Sequence, residues 1–405
     1  MQVTRIGMDI AKQVFELCGV DRRGKLVLRK TLRRERLLEF FAQLKPCEVG
    51  MEACGGAHYW HRELSRFGHR VRLLSAHKVK PYVDGNKNNR HDAAAILEAM
   101  SRPAMRWVQP KSVAQQDLQV LHRARALLMR ELTALSNQMR GVLQEYGVVL
   151  RAGKAALRRM VPQLLAGDDE RLTPVLRQVL AEQFERFVDL SERVKRYDCR
   201  INQWCRQDPR CLALLKVMGI GPLSATALAA AIGNGHEFKN GRHFSAYLGL
   251  VPGHSNTGDK TVMRGITKRG NRYLRTLLIH GGRSAVYAAR RRTDPRSVWL
   301  NRLREQNCPN VAAVALANKN ARVAWAMLRY GEDYRPRKAH RRSPDPAAAR
   351  SARPANRRLA RALQSAPAPS RSRAHFSAPP SVPDEGRSEK MLKSTILTVT
   401  RPTNP

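Results

Sequence analysis

The sequence is poor in acidic residues and contains no long apolar run. It has 33 Asp and Glu against 74 Lys and Arg, for a formal net charge of +41. No stretch of about 18 consecutive apolar residues occurs, and the N-terminus lacks the pattern of a cleavable signal, so neither a membrane span nor secretion is expected. Such a charge excess favours nucleic acid over an anionic membrane surface as the partner. We therefore expect a soluble, cytoplasmic protein that acts at the bacterial nucleoid.

Paired cysteine motifs are also missing. The seven cysteines include no CxxC pair. Cys199, Cys205 and Cys211 are six residues apart, which places them on different faces of a helix. The pattern does not fit a zinc site, and we expect reduced, structural thiols.

The patterning divides the chain into four parts. Residues 3–30 alternate like strands of a hairpin or three-stranded meander, and strand and helix patterns then alternate, which predicts an α/β domain over residues 1–108. From Val113 to about Trp204, apolar residues recur at helical spacing among arginines, which predicts a helical linker over 109–206. A packed antiparallel helix pair and a dimerising stalk are both compatible with this pattern. Residues 207–334 predict a helical domain, and the Arg-, Ala-, Pro- and Ser-rich residues 335–405 a disordered basic tail.

Three carboxylates occupy positions where a metal site can form. Asp9 lies within the first strand, Glu52 ends a later strand before two glycines, and Asp92 lies in the first turn of a helix. Carboxylates at strand ends and on a facing helix can converge, and two metal ions held there can act on the oxygens of a phosphodiester. Taken singly, an edge-strand charge, a turn residue and a helix-dipole carboxylate are the simpler interpretations. Their joint occurrence in a basic protein favours the metal site.

Two further segments suggest contact with a nucleic-acid backbone. "VMGIGPLSATALAAAI" has the form of a helix-hairpin-helix, in which Gly219 and Gly221 expose main-chain N–H groups to a phosphate; a plain tight turn is the alternative. A loop with His254, Ser255 and Thr257 is then surrounded by basic residues that can contact phosphates, namely Lys260, Arg264, Lys268, Arg269, Arg272 and Arg275. A hydroxyl in such surroundings can act as a phosphoryl-transfer nucleophile. From these residues alone, an ordinary loop serine remains the simpler interpretation of Ser255.

Taken together, the segments resemble transposases of the insertion-sequence 110 family, close to its Piv-type invertase relatives. The resemblance covers residues 3–335 and rests on "GMDIAK", "MEACGGAHYW", "VKPYVDGNKNNRHDAAAI", "LLKVMGIGPLSATAL", "AYLGLVP", "GITKRGNRYLRTLLIHG" and "NVAAVALANKNARVAWAML". It implies an α/β RuvC-like (ribonuclease H fold) domain with a DEDD tetrad, a helical linker and an all-α C-terminal transposase domain. It also implies Mg²⁺-dependent cleavage and joining of DNA strands, a covalent serine nucleophile and an element-encoded guide RNA.

Carried over residue by residue, the resemblance places the tetrad at Asp9, Glu52, Asn89 and Asp92. The third position is therefore an amide, which offers an oxygen to Mg²⁺ but no charge. In the C-terminal motif, Asn256-Thr257-Gly258 stands where relatives have Ser-Ser/Thr-Gly, and the serine is displaced to Ser255. The nucleophile is then Ser255, which we prefer, or Thr257, or neither.

These departures lead to a hypothesis of reduced or lost activity. Asn320 adds a third departure, because an apolar residue is expected at its place in the helix. The leading interpretation is a transposase or site-specific recombinase that excises and integrates an insertion sequence. A Holliday-junction-type endonuclease and a catalytically inactive DNA- or RNA-binding remnant are the alternatives. Strand exchange needs several active sites at one junction, so we expect a dimer or tetramer.

Overall fold

The computed structural model describes residues 2–84, 89–103, 105–258 and 260–335. For Asn89, Thr257, Lys260 and Thr261 only the main chain is described. The predicted disordered tail, 335–405, lies outside the described residues except for Arg335, and that prediction stays open.

The N-terminal part is a six-stranded mixed sheet flanked by helices. Its elements, in chain order, are β1 (Arg5–Ile10), β2 (Val14–Val20), β3 (Leu26–Arg33), α1 (Leu37–Gln43), β4 (Glu48–Glu52), α2 (Ala57–Arg66), β5 (Arg70–Leu74), α3 (Ala76–Val79), α4 (Asn89–Ser101) and β6 (Trp107–Val108). The strand order is β3-β2-β1-β4-β5-β6. The β1–β2–β3 meander is antiparallel, whereas β4 runs parallel to β1 and β5 parallel to β4. The predicted meander and the alternating helices and strands are confirmed, and the architecture is consistent with a ribonuclease H-like domain.

Different helices pack on the two faces of this sheet. Alternate residues of the strands, among them Met8, Phe15 and Met51, are buried with α1 and α2 in an apolar core. On the other face, glycines let α4 approach the strands closely. A Cβ at Gly7 would lie 2.6 Å from the Leu97 main-chain nitrogen, and one at Gly50 would lie 2.6 Å from Cγ of Met100. The backbone of α4 therefore lies directly against β1, and its Met100 side chain lies against β4.

The predicted helical linker consists of α5 (Val113–Glu145), α6 (Lys154–Ala166) and α7 (Pro174–Gln207). α5 begins with a capping box between Ser112 and Gln115, and α7 begins with Pro174 after its cap residue, Thr173. An ion pair joins Arg125 near the start of α5 to Asp198 near the end of α7, so the two helices run antiparallel. Their apolar faces share one core with α6, as the interpretation as a packed antiparallel pair requires.

The C-terminal part contains α8 (Pro209–Leu215), α9 (Pro222–Ile232), α10 (Gly241–Tyr247), β7 (Pro252–Thr257), β8 (Lys260–Ile266), α11 (Arg272–Ala288), α12 (Pro295–Gln306) and α13 (Pro309–Tyr330). The alanine-rich segments form helices as predicted, because small side chains let α9, α11 and α13 pack closely around one core. The predicted loop around Ser255 is wrong: β7 and β8 pair with each other in antiparallel orientation, and Ser255 lies within β7.

The structure also bears on the expectations for membrane-spanning helices and for the cysteines. Among the described residues, no helix has both the length and the apolar composition needed to cross a membrane. All seven cysteines are unpaired; Cys18, Cys47, Cys205 and Cys211 are buried, in accord with structural thiols.

Candidate active site and nucleic-acid interface

Asp9 and Glu52 lie side by side at the ends of two parallel strands. The register of β1 and β4 pairs Met8 with Met51, so the next residues along the two strands are Asp9 and Glu52. Asp9 follows Gly7 by two residues and Glu52 follows Gly50 by two, so both lie on the face covered by α4. Asp92 is in the first turn of that helix. The fold thus brings together three carboxylates that are up to 83 positions apart in the sequence.

The pKa of Glu52 reflects the nearby charges of the other two carboxylates. Burial raises the pKa of Glu52, and the negative charges of Asp9 and Asp92 raise it further. All three residues remain partly exposed to solvent. Like charges this close disfavour full ionisation, and a bound cation would remove that cost.

Two residues near these carboxylates did not emerge as candidates from the sequence. Burial raises the pKa of Cys54, and the charges of Glu52 and Asp9 raise it further. The pKa of this thiol therefore depends on the charge of these carboxylates. Glu16 lies directly opposite Asp9 in the β1–β2 register and accepts a hydrogen bond from the Thr31 hydroxyl at 2.9 Å. Only the strand register reveals Glu16, because a half-buried glutamate in an alternating strand is not otherwise distinctive.

The chemistry of the carboxylates fits Mg²⁺, whose preferred protein ligands are oxygens. In the described part of the chain, however, no three His, Cys, Asp or Glu side chains are close enough together to form a complete metal site. The fourth predicted position, Asn89, is the first residue of α4, and its side chain lies outside the described residues.

The candidate nucleophiles lie in the C-terminal part, on β7. Ser255 pairs with Val262 across the hairpin and is partly exposed. Thr257 is the last residue of β7, and its side chain lies outside the described residues. Ile266, at the end of β8, packs against the C-terminal core. The hairpin therefore belongs to the C-terminal helices, whereas the carboxylates belong to the N-terminal sheet.

Most of the predicted basic residues lie in or beside the loop of residues 267–271, which follows this hairpin and is called the basic loop below. The main-chain nitrogen of Lys268 donates to the Gly249 carbonyl at 3.1 Å, and that of Thr267 donates to Val251 at 3.0 Å. Lys268 has a φ of 56°, in the left-handed region. Four of the predicted side chains are exposed, namely Arg264, Lys268, Arg269 and Arg272; that of Lys260 lies outside the described residues.

Arg275 has a different environment from the other basic residues. It is only 9% exposed, and its Nη1 donates to the carbonyl oxygens of Leu248 at 2.9 Å and Arg269 at 2.8 Å. Its guanidinium thus fastens the basic loop to the end of α10. We assign Arg275 to the fold and leave it out of the proposed nucleic-acid surface.

The turn between α8 and α9 contains the two glycines of the predicted helix-hairpin-helix. Gly219 has a φ of +84°, and a Cβ there would lie 2.9 Å from the Gly281 carbonyl oxygen and 3.2 Å from Nδ2 of Asn320. Gly219 therefore faces the protein core. A Cβ at Gly221 would meet no heavy atom within 4 Å, so this residue, directly before Pro222 at the start of α9, leaves room for a ligand.

Position 320 lies in the core, where an apolar residue was expected, but its asparagine has hydrogen-bond partners. Asn320 is fully buried, and its Nδ2 donates to the Met218 carbonyl at 2.8 Å. Its Oδ1 accepts a hydrogen bond from Arg296 at 3.3 Å. The amide therefore joins α13 to the α8–α9 turn, and Asn320 is no longer an argument for a decayed sequence.

A buried polar network connects the linker to both sides of the C-terminal part. His122 on α5 lies 2.9 Å from the Tyr273 hydroxyl and 3.0 Å from the Thr226 hydroxyl, which donates to the Pro222 carbonyl at 2.7 Å. Because the Thr226 proton is used on Pro222, Nε2 of His122 donates to Thr226 and Nδ1 accepts from Tyr273. Burial, with a smaller contribution from the charge of Arg125, lowers the pKa of His122 to about 4, which keeps it neutral.

A second polar joint attaches the N-terminal sheet domain to the linker. Arg62 on α2 donates to the Lys111 carbonyl at 3.1 Å and to Gln116 at 2.6 Å. The main-chain nitrogen of Lys111 donates to Nδ1 of His58 at 3.2 Å. Burial and then the charge of Lys111 lower the pKa of His58 to about 4.

Family models match two parts of the chain. A model of the DEDD transposases of the IS110 type, described as "Transposase", matches residues 6–148. A model described as "Transposase IS116/IS110/IS902 family" matches residues 211–296. The first match contains the carboxylates, and the second contains the α8–α9 turn, the hairpin and the basic loop.

Curated relatives align over most of their own length. A probable family 20 transposase of Pseudomonas aeruginosa is 48% identical over 337 residues, 83% of this chain and 100% of the relative. The transposase for insertion sequence element IS1111A of Coxiella burnetii is 42% identical, over 82% of this chain and 91% of the relative. The transposase for insertion sequence element IS1328 of Yersinia enterocolitica is 36% identical, over 81% of this chain and 98% of the relative.

Proposed function

Because this chain belongs to the IS116/IS110/IS902 family of transposases, we propose that it excises and integrates an insertion sequence by cleaving and rejoining DNA strands. The observation that carries this proposal is the convergence of Asp9 and Glu52 at the ends of β1 and β4 with Asp92 in the first turn of α4. Burial, and then the charges of Asp9 and Asp92, raise the pKa of Glu52. A basic protein that concentrates carboxylates at one end of a sheet supplies the oxygen ligands that metal-assisted phosphodiester chemistry uses.

In this proposal Asp9, Glu52 and Asp92 hold Mg²⁺, with Asn89 at the fourth tetrad position. Bound Mg²⁺ would supply positive charge to the oxygens of the scissile phosphate. Asn89 contributes no charge, so we expect weaker metal binding than with an aspartate at that position. The raised pKa of Glu52 also weakens metal binding, because protons compete with the metal for this carboxylate at a higher pH than for an ordinary glutamate.

We propose Ser255 as the nucleophile and Thr257 as the alternative. The Ser255 oxygen attacks phosphorus to form a phosphoserine diester, the bond to one sugar oxygen breaks, and that oxygen takes up the proton that serine loses. Attack by a sugar hydroxyl of another strand reverses these changes and joins the strands. The hairpin supports this role because it presents a partly exposed hydroxyl beside basic residues.

The remaining proposed roles concern binding. Phosphates of the DNA, and of a guide RNA, are held by the exposed side chains of the basic loop, by Lys260 and by the main chain near Gly221 of the helix-hairpin-helix. A dimer or tetramer supplies the several active sites that strand exchange requires.

The test is a junction cleavage-and-joining assay with Mg²⁺ on the element's own ends, with RNA transcribed from the flanking element sequence. Wild type is compared with Ser255→Ala, Thr257→Ala and Asn89→Asp, and with Ser65→Ala as a control at an exposed serine. Loss of joining in Ser255→Ala alone supports the proposal. Cleavage that survives both hydroxyl variants indicates a junction endonuclease, and inactivity of every protein with retained DNA binding indicates a remnant that only binds. If Asn89→Asp alone is active, position 89 is the defect.

A further inference from the structure

A groove of about 1130 Å³ lies among the C-terminal helices, away from the β7–β8 hairpin. Its walls come from the end of α8 and the following turn, the start of α12, the second half of α13, and residues 332–335 after that helix. None of the residues assigned above to strand cleavage or to the basic loop lines it.

The floor of the groove is apolar and one wall is aromatic. Met218, Val323 and Met327 contribute to the floor. Tyr334 packs against the C-terminal core, and the guanidinium of Arg296 lies 5.1 Å from the centre of its ring. A flat apolar ligand placed on this floor would therefore lie beside an aromatic ring already in contact with a cation.

The rim is predominantly basic. Six basic and three acidic residues line the groove, namely Lys216, Arg292, Arg296, Lys319, Arg322 and Arg335, and Asp294, Glu332 and Asp333. Two of the acids are already engaged. Asp333 is paired with Lys216 at 2.9 Å, and Asp294 accepts hydrogen bonds from the first turn of α12. The net field at the rim therefore attracts anions.

We propose that this groove binds unpaired nucleotides of a single-stranded nucleic acid, with bases on the apolar floor beside Tyr334 and phosphates at the arginine rim. Bases in a duplex are stacked on each other, so a duplex would offer this groove phosphates only. An unpaired strand offers both the flat faces of its bases and its phosphates, and sites that take such strands combine aromatic platforms with basic grooves. This binding does not depend on strand cleavage or on a metal.

The first experiment uses the full chain in EDTA and tetranucleotide probes. A tetramer with 4-thiothymidine and one with 4-thiouridine are crosslinked by near-ultraviolet light, and the modified peptides are mapped. We expect crosslinks in the peptides that contain Met218, Met327 or Tyr334. The relative yields of the two probes distinguish a DNA from an RNA ligand. Crosslinks confined to other parts of the chain would overturn the proposal.

The second experiment separates base binding from phosphate attraction. A fluorescein-labelled thymidine tetramer and an abasic tetramer with the same phosphates are titrated by fluorescence anisotropy. Wild type should bind the thymidine tetramer about tenfold more tightly. Tyr334→Leu keeps an apolar side chain against the core and should abolish this preference, whereas Tyr334→Phe should retain it.

The charged rim has its own matched control. Arg322→Ala should weaken binding of both tetramers more than Arg302→Ala, which removes the same charge from an exposed position on α12 outside the groove. The proposal is overturned if Arg322→Ala equals Arg302→Ala and Tyr334→Leu keeps the wild-type preference. Because neither readout involves catalysis, failure of the strand-joining assay would leave this test intact.

Discussion

The side-chain amide of Asn320, which is fully buried, donates a hydrogen bond to the main-chain carbonyl of the half-buried Met218 across 2.8 Å. Met218 belongs to the turn that also contains Gly219 and Gly221. Asn320 of α13 therefore holds the turn between α8 and α9 by a hydrogen bond. Its side-chain oxygen also accepts a hydrogen bond from Arg296.

Asn320→Leu is expected to lower the free energy of unfolding by about 1 kcal/mol, because the half-buried Met218 carbonyl would lose its hydrogen bond. Urea unfolding followed by circular dichroism measures the change. Asn202→Leu, at an exposed position on α7, is the matched control and should change the stability little. A more stable Asn320→Leu protein would restore the view that this asparagine is a product of sequence decay.

Gly7→Ala is expected to disturb the carboxylate site through α4. The new Cβ would lie 2.6 Å from the Leu97 nitrogen and closer still to the Ala93 carbonyl oxygen, so the helix that carries Asp92 must move away from β1. We expect a loss of about 2 kcal/mol in stability and a strong loss of strand joining. Gly55→Ala is the control, since its Cβ would meet no heavy atom within 4 Å. Unchanged activity in Gly7→Ala would show that the position of α4 is not critical.

Asp9→Asn is expected to lower the pKa of Cys54, because the charge of Asp9 contributes to raising it. In a background with Cys199→Ser and Cys308→Ser, the other two exposed thiols are absent. Alkylation of Cys54 by iodoacetamide at pH 8 should then be about two- to threefold faster, because the thiolate is the reactive form. Glu185→Gln, at an exposed carboxylate on α7, should leave the rate unchanged.

The same thiol tests Mg²⁺ binding without any catalytic assay. A cation held by Asp9 and Glu52 would offset the charges that raise the pKa of Cys54, so Mg²⁺ should accelerate its alkylation in the same background. Asp9→Asn should remove most of this acceleration. An equal effect of Mg²⁺ on both proteins would place the cation elsewhere.

Acid is expected to destabilise the protein through His122. Its pKa in the folded state is lowered to about 4, below the ordinary value of about 6.5, so protons bind the unfolded chain more readily. The stabilisation is complete above about pH 7 and is lost progressively as pH falls from about 6.5 towards 4. Between pH 7.5 and pH 5 this group alone accounts for about 2 kcal/mol.

Urea titrations at these two pH values measure that difference. His122→Gln should lower stability at pH 7.5, since the Tyr273 and Thr226 hydroxyls lose their shared partner, and should also reduce the difference between the two pH values. His58 contributes in the same direction and pH range, so some acid sensitivity should remain. His280→Gln, at an exposed position on α11, controls for the loss of one imidazole. A full pH difference in His122→Gln would contradict the assignment.

Arg272 and Arg275 are three residues apart, but we expect their alanine variants to affect different properties: DNA binding for Arg272 and stability for Arg275. Arg275→Ala leaves the Leu248 and Arg269 carbonyls without their partner and should lower stability by about 2 kcal/mol. Arg272→Ala removes an exposed charge and should weaken DNA binding and its salt dependence with little change in stability. Thermal unfolding and DNA titrations at two salt concentrations separate the two effects. Similar behaviour of both variants would show that exposure does not decide their roles.

Local patterns were sufficient to predict most elements. Strand alternation in residues 3–30 gave the meander, and helical spacing from Val113 gave α5, α6 and α7, because both signals arise from one-sided burial along a short segment. The carboxylates Asp9, Glu52 and Asp92 were likewise identifiable, since a charge in an apolar strand or at a helix start is conspicuous. The β7–β8 hairpin was missed because its glycines and polar residues are equally typical of a loop.

The sequence by itself determined the basic character, the order of elements and the family to which the chain belongs. The tertiary structure decided which of the conspicuous residues have partners. Asn320 and Arg275 are polar residues that the sequence alone does not distinguish from surface residues. Only the packing of distant helices shows that both are buried and hydrogen-bonded to main-chain carbonyl groups. The adjacency of Asp9 and Glu52 likewise depends on the parallel register of β1 and β4, and their closeness to Asp92 on the glycine that admits α4. Such contacts join residues far apart in the chain, and the free energy that selects them comes from burial of the whole core.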